Sequence, residues 1–143
     1  IAKGCADVGG RLLKLEKDYT VTYVSPTAQM ISDKHGLSLA VGQKTDDKAI
    51  TVLCDEMVGL VEQMLGIYDK TDMLNSVVTN GSTELVIPKK IKAVCFSGGV
   101  ADCLYKTGHE KLSFGDIGVY LGEAFRLFFD DAECVLSEFL DDS

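Results

Sequence analysis

The chain has 143 residues, 46% hydrophobic and 25% charged, which fits one globular domain with a buried core and excludes a disordered or membrane-embedded class. No apolar run approaches the roughly 18 residues needed to span a bilayer, and nothing at the start reads as a signal peptide. A net charge of −8 argues against binding a phosphate backbone, so neither nucleic acid nor a membrane is an expected partner.

The first residue is Ile, which suggests a piece of a longer chain. Cys5, Cys54, Cys95, Cys103 and Cys134 are odd in number and scattered without a C-x-x-C pair. That is no disulfide framework, and it points to a reducing cytoplasm. His35 and His109 lie far apart, and Cys103 with His109 has no ligand spacing, so no metal site is expected.

In chain order, residues 3–8 predict a short strand ending at Gly9-Gly10. Leu12, Leu13 and Leu15, then residues 20–24, predict two strands joined by the polar turn Glu16-Lys17-Asp18. Ser25-Pro26 predicts a helix start, a hydroxyl cap followed by proline at the first helical position, and Gly36 predicts its end. Ile50, Leu53, Cys54, Met57, Val61, Met64 and Leu65 recur at three- and four-residue steps and predict the longest helix, residues 46–66. Its methionines read as core. Gly59 inside it costs about 1 kcal/mol relative to Ala.

Residues 69–81 are ambiguous: Met73, Leu74, Val77 and Val78 allow a short helix that Asn80-Gly81 would end. Residues 85–90 read as an extended linker with Pro88 at an edge. Residues 91–96 form an apolar run with one charge, the pattern of a strand buried on both faces. It breaks at Ser97-Gly98-Gly99, and a helix is expected over 100–105.

A strand, a glycine turn and a helix start can bring backbone N–H groups to an anionic or nucleotide ligand, because residues without Cβ allow close approach. The same glycines also suit a plain βα turn. Phe114-Gly115-Asp116-Ile117-Gly118 is expected to open the final helix, with Asp116 capping it or complementing its dipole. Beyond Arg126 the charge is wholly acidic, and residues 130–143 read as a solvated tail or a last helix with one apolar stripe, with docking as the alternative.

Three segments together carry a resemblance. They are Ala6-Asp7-Val8-Gly9-Gly10-Arg11-Leu12-Leu13, then Val94-Cys95-Phe96-Ser97-Gly98-Gly99-Val100-Ala101-Asp102-Cys103-Leu104-Tyr105, then Phe114-Gly115-Asp116-Ile117-Gly118-Val119-Tyr120-Leu121-Gly122. Over residues 3–125 they resemble EutA, the reactivating factors of ethanolamine ammonia-lyase, within the actin/Hsp70/sugar-kinase superfamily of ATPases. From Asp130 onward no likeness is apparent.

The resemblance implies an α/β fold, a ribonuclease H-like or actin-like ATPase half-domain with a mixed sheet and flanking helices. It implies that residues 1–11 and 91–129 form the nucleotide-side part, and that residues 12–90 form a smaller outer subdomain. It further implies a chaperone-like factor that uses ATP and Mg²⁺ to help exchange damaged cobalamin on ethanolamine ammonia-lyase in a bacterial cytoplasm, with a possible link to the ethanolamine microcompartment. Ser97, Gly98, Gly99 and Val100 then stand against the adenosine, and Gly9 and Gly10 stand at another strand end beside the cleft. If those strands share one open sheet, both turns reach its ligand-binding edge. Arg11 could meet phosphate, although a surface arginine after a turn is the commoner arrangement.

The departure from the superfamily is a missing D-x-G-x-G phosphate loop. Such loops and their metal stabilise a transferring phosphoryl group, so this piece is expected to carry no catalytic residue and not to turn over ATP by itself. Two other readings compete. Ser97-Gly98-Gly99-Val100 also resembles the pyrophosphate loop of ATP pyrophosphatases, but Asp102 comes one residue late and Cys103 replaces the hydroxyl residue. A protein-docking module, with every glycine serving a turn, is the other.

Overall fold

The computed structural model describes residues 5–79, 93–96, 99–105, 108–131 and 135–136. Strand β1 (Cys5–Ala6) leads through Gly9 into a 3-10 turn at Gly10–Leu12. The hairpin β2 (Leu13–Leu15) and β3 (Val21–Val24) follows, antiparallel, with Leu13 opposite Val24. Leu13 and Leu15 are buried while Lys14 between them is exposed, the period-two alternation of a strand with one covered face.

Helix α1 (Pro26–His35) has the expected ends. The Ser25 hydroxyl accepts from Ala28 N at 3.1 Å, and Gly36 takes φ +66°, a left-handed conformation that costs glycine nothing. Helix α2 (Asp47–Met64) is capped by Asp46, whose carboxylate accepts from Ala49 N at 2.8 Å. Its stripe of Ile50, Leu53, Cys54, Met57 and Leu60 is buried at the centre of the molecule. Each such side chain contributes about 1.5–3 kcal/mol relative to exposure.

Helix α3 (Asp72–Val77) resolves the ambiguous stretch as helical. It ends directly in β4 (Val78–Thr79), which pairs antiparallel with β1, so its end comes before Asn80-Gly81, which lie outside the described residues with the 85–90 linker. Strand β5 (Ala93–Val94), helix α4 (Gly99–Tyr105), helix α5 (Gly118–Asp131) and strand β6 (Val135–Leu136) complete the chain. One buried cluster joins the hairpin, α1, α2, α3, α4 and α5, running from Leu13 to Phe129. Among the described residues no helix is long and apolar enough to cross a membrane.

The fold is mixed α/β, but the sheet differs from expectation. Among the described residues the strands form three separate two-stranded sheets, β1–β4, β2–β3 and β5–β6, rather than one open mixed sheet. Backbone groups near two strand ends bond outside the ladders, while Asp7 N continues the β1–β4 pairing to Val77 O at 2.8 Å. Val8 N turns back to Ala6 O after β1, and Phe96 N donates to the Tyr105 hydroxyl at 2.9 Å after β5.

Of the run at 91–96, burial is described only for its last three residues, where Cys95 is exposed and Val94 and Phe96 are half-buried, so this part is not buried on both faces. The final helix opens at Gly118 rather than at Phe114. Residues 111–117 make a turn in which Gly115 holds φ +71°, outside the helical region, and Asp116 Oδ1 accepts from Gly118 N at 2.8 Å. Asp116 therefore caps α5, as its place in the sequence suggests. At the acidic end, Val135 and Leu136 are neither tail nor helix; they pair parallel with Ala93 and Val94. Their apolar side chains suit a strand, and parallel pairing is what a helical crossover from β5 supplies.

Candidate functional site

The 3-10 turn, β2, the start of α4 and the turn before α5 meet around a cavity of about 650 Å³. That volume lies within the range of ligand pockets, about 300–1,000 Å³. Gly10 and Arg11 come from the 3-10 turn and Lys14 from β2. Helix α4 contributes Gly99, Val100, Asp102 and Cys103, and the chain entering α5 contributes Phe114, Gly115, Asp116 and Gly118.

Glycines let these elements come close enough to enclose the space. A Cβ on Gly10 would stand 2.7 Å from Gly118 Cα, and one on Gly122 would stand 2.8 Å from the carbonyl carbon of Cys103. Real side chains do not fit at such distances, so α5 packs directly on the 3-10 turn and on α4 through bare backbone. The turn before α5 is tied from several directions. Ile117 N donates to Gly10 O at 3.1 Å, Leu15 N to Gly115 O at 3.0 Å, and Gly115 N to Leu112 O at 3.2 Å. Just after β5, Phe96 packs against Phe125 at 4.8 Å and Phe129 at 5.9 Å between ring centroids, which holds β5 to α5.

The lining mixes charges: Arg11 and Lys14 are cationic, Asp102 and Asp116 anionic. Burial, then the negative charges of Asp116 and Asp102, push the Cys103 thiol up, which favours its protonated form. Among the described residues no group of three or more His, Cys, Asp or Glu side chains comes together as a metal site.

The family model described as ethanolamine utilisation protein EutA matches residues 1–137. The chain belongs to the EutA family. It is also similar to a curated relative from Salmonella typhimurium, ethanolamine ammonia-lyase reactivase EutA, at 28% identity over 132 residues. That similarity covers 85% of this chain and 26% of the relative, so the chain spans about a quarter of that relative's length. No solved structure matches. The family match runs to residue 137, past residue 125 where the resemblance ended, and takes in much of the acidic end, including β6.

Against this EutA framework the nominated residues divide. Gly10, Gly99 and Val100 line the cavity together, although the strands before them do not share a sheet among the described residues. Gly9 precedes the 3-10 turn and is not part of the lining, and a Cβ there would meet nothing within 4 Å. Ser97 and Gly98 lie outside the described residues.

A Cβ on Gly10 would collide with Gly118, whereas a Cβ on Gly99 would meet nothing within 4 Å. Arg11 does face the cavity. The sequence reading missed Lys14, Asp102 and Phe114 as lining residues and Gly118 and Gly122 as packing contacts. The signal available was the four-residue step from Gly118 to Gly122, one helical face without side chains.

A second polar cluster lies beside the first. The Tyr120 hydroxyl donates to Asp47 Oδ1 and lies 2.9 Å from the Tyr19 hydroxyl, joining α5, the start of α2 and the β2–β3 turn. Burial, then hydrogen bonds with Asp47 and Tyr19, push the Tyr120 phenol far above its ordinary range. It therefore stays a neutral donor and holds the base of α5 in place. Lys111 Nζ sits 4.6 Å above the Tyr120 ring and pairs with Glu123.

Proposed function

We propose that this chain is part of a reactivating factor for ethanolamine ammonia-lyase and that its glycine-lined cavity forms one side of a nucleotide cleft. The observation that carries the reading is the meeting of Gly10, Gly99 and Val100, drawn from two distant motifs, in one cavity of a EutA-family chain. The Salmonella typhimurium relative is named as a reactivase of that lyase, which makes the lyase the proposed partner here.

ATP with Mg²⁺, when bound by the whole protein, would supply the free energy for exchanging damaged cobalamin on the lyase. Within this chain, Gly99 and Val100 offer a wall of low relief for the adenosine. Arg11 and Lys14 supply positive charge for an anionic group, and Arg11 can form two parallel hydrogen bonds to a phosphate. No residue of this chain is assigned a step in phosphoryl transfer, since a D-x-G-x-G phosphate loop is absent from its sequence. The proposed setting is the bacterial cytoplasm. Family membership leaves the ATP-pyrophosphatase reading without support.

Binding of ATP and of its non-hydrolysable analogues, measured by calorimetry on the full-length protein, tests this reading. Gly99→Val is expected to weaken binding at least tenfold with the fold intact, because Gly99 lines the cavity and a Cβ there meets nothing within 4 Å. Unchanged affinity in that variant would remove the cavity from the nucleotide site. Clear single-turnover ATP hydrolysis by the 143-residue chain would overturn the assignment of no catalytic residue to it.

A further inference from the structure

Phe114 stands apart from the other aromatic side chains near the cavity. Phe96, Phe125 and Phe129 pack into the core, but Phe114 is 55% exposed and lines the cavity. An exposed phenylalanine is ordinarily a small cost with no function, and Tyr23, Val41, Ile67, Tyr68 and Leu127 are scattered in that way without facing this cavity.

Phe114 differs because its backbone is tied in a turn and its ring has an aromatic neighbour. Its backbone lies in a turn closed by Ser113 N to Glu110 O and Gly115 N to Leu112 O. The next two residues are bonded to β2 and capped onto α5. The His109 ring supports its ring edge-on at 5.3 Å between centroids. A large flat apolar surface is thus fixed on the wall of a cavity that also carries Arg11 and Lys14. A pre-ordered ring loses little conformational freedom when a ligand stacks on it.

We infer that Phe114 is the stacking platform for a planar ring of the cavity's ligand. It selects a base-bearing nucleotide over a bare polyphosphate or another small anion. The inference rests on the nucleotide reading above and adds the residue that sets its specificity. A protein partner docking on Phe114 is less well matched, because the ring faces a concave, mixed-charge space instead of an apolar patch.

The test compares wild type, Phe114→Leu and Phe114→Tyr in the full-length protein, each titrated with ATP, ADP and tripolyphosphate by calorimetry. Thermal unfolding checks that each variant is folded. Base–aromatic stacking predicts that Phe114→Leu weakens ATP and ADP about tenfold and leaves tripolyphosphate unchanged, while Phe114→Tyr retains wild-type affinity. Equal weakening of all three ligands, or unchanged ATP affinity in Phe114→Leu, would overturn the stacking role while leaving a nucleotide site in place. Failure of the wild type to bind any nucleotide would overturn both readings. Loss of lyase capture by Phe114→Leu with unaltered ATP affinity would assign the ring to a protein interface and sink the proposal.

Discussion

The hairpin with α1 and α2 and the crossing of α4 with α5 are built on opposite rules. In the first region, residues 13–64, side chains fill the interior: Leu13, Ile31, Ile50, Leu53, Met57 and Leu60 are all fully buried. In the second, missing side chains bring the elements together at Gly10, Gly118 and Gly122. Filled interiors announce themselves by hydrophobic period, while bare seams leave only a spacing of glycines. The candidate ligand cavity lies against the seam, so tight positions such as Gly10 and open ones such as Gly99 share its wall.

The largest effect expected from breaking this contrast is in the filled region. Leu53→Ala should lower stability by about 3 kcal/mol, through lost transfer free energy plus a residual void, as measured by urea unfolding. A loss below about 1 kcal/mol would mean that α2 is not the centre of the core. Gly122→Ala comes next, at about 2 kcal/mol, because its Cβ would collide with the Cys103 backbone and not with a flexible side-chain end. The matching change Gly99→Ala meets open space and should shift stability by less than about 0.5 kcal/mol. If the two glycines behave alike in thermal melts, the distinction between seam and wall fails.

Ser25→Ala should cost about 1 kcal/mol by leaving the Ala28 amide without its cap. Gly59→Ala should act in the opposite direction, gaining about 0.5–1 kcal/mol, since a Cβ there meets nothing within 4 Å. A destabilised Gly59→Ala would show that α2 is more crowded there than its surroundings indicate.

The smallest effect concerns acid. Burial raises the Glu56 carboxyl, but hydrogen bonds from His35 and Lys34 outweigh it and leave the group below its ordinary 4.5. A depressed carboxyl contributes stability above its unfolded value, and that contribution is lost as pH falls below about 4.5 through the folded value. Glu56→Gln should therefore flatten the acid limb of a stability–pH curve by slightly lowering stability at neutral pH while leaving stability in acid unchanged. An acid limb identical to wild type would show that this ion pair is too solvated to matter.

Legibility follows the same division. The period of α2, the Ser25 cap and the Gly36 stop are local signals, and the structure places each where the pattern does. The strands were less legible because their ends depend on distant partners. The Tyr105 hydroxyl captures Phe96 N, and β6 reaches back from the acidic end to pair with β5. Part of the cavity, Gly10, Gly99 and Val100, is visible as two glycine motifs. The rest, Lys14, Asp102 and Phe114, consists of ordinary residues that acquire significance only when three segments far apart in the chain converge.

The parallel pairing of Ala93–Val94 with Val135–Leu136 makes the carboxyl end a structural support instead of an appendage. Trimming the chain after Asp131 would strip the flank from the short strand Ala93–Val94. Shortening this acidic segment to aid purification, or replacing it with a tag, would remove the backbone partner on which that strand leans.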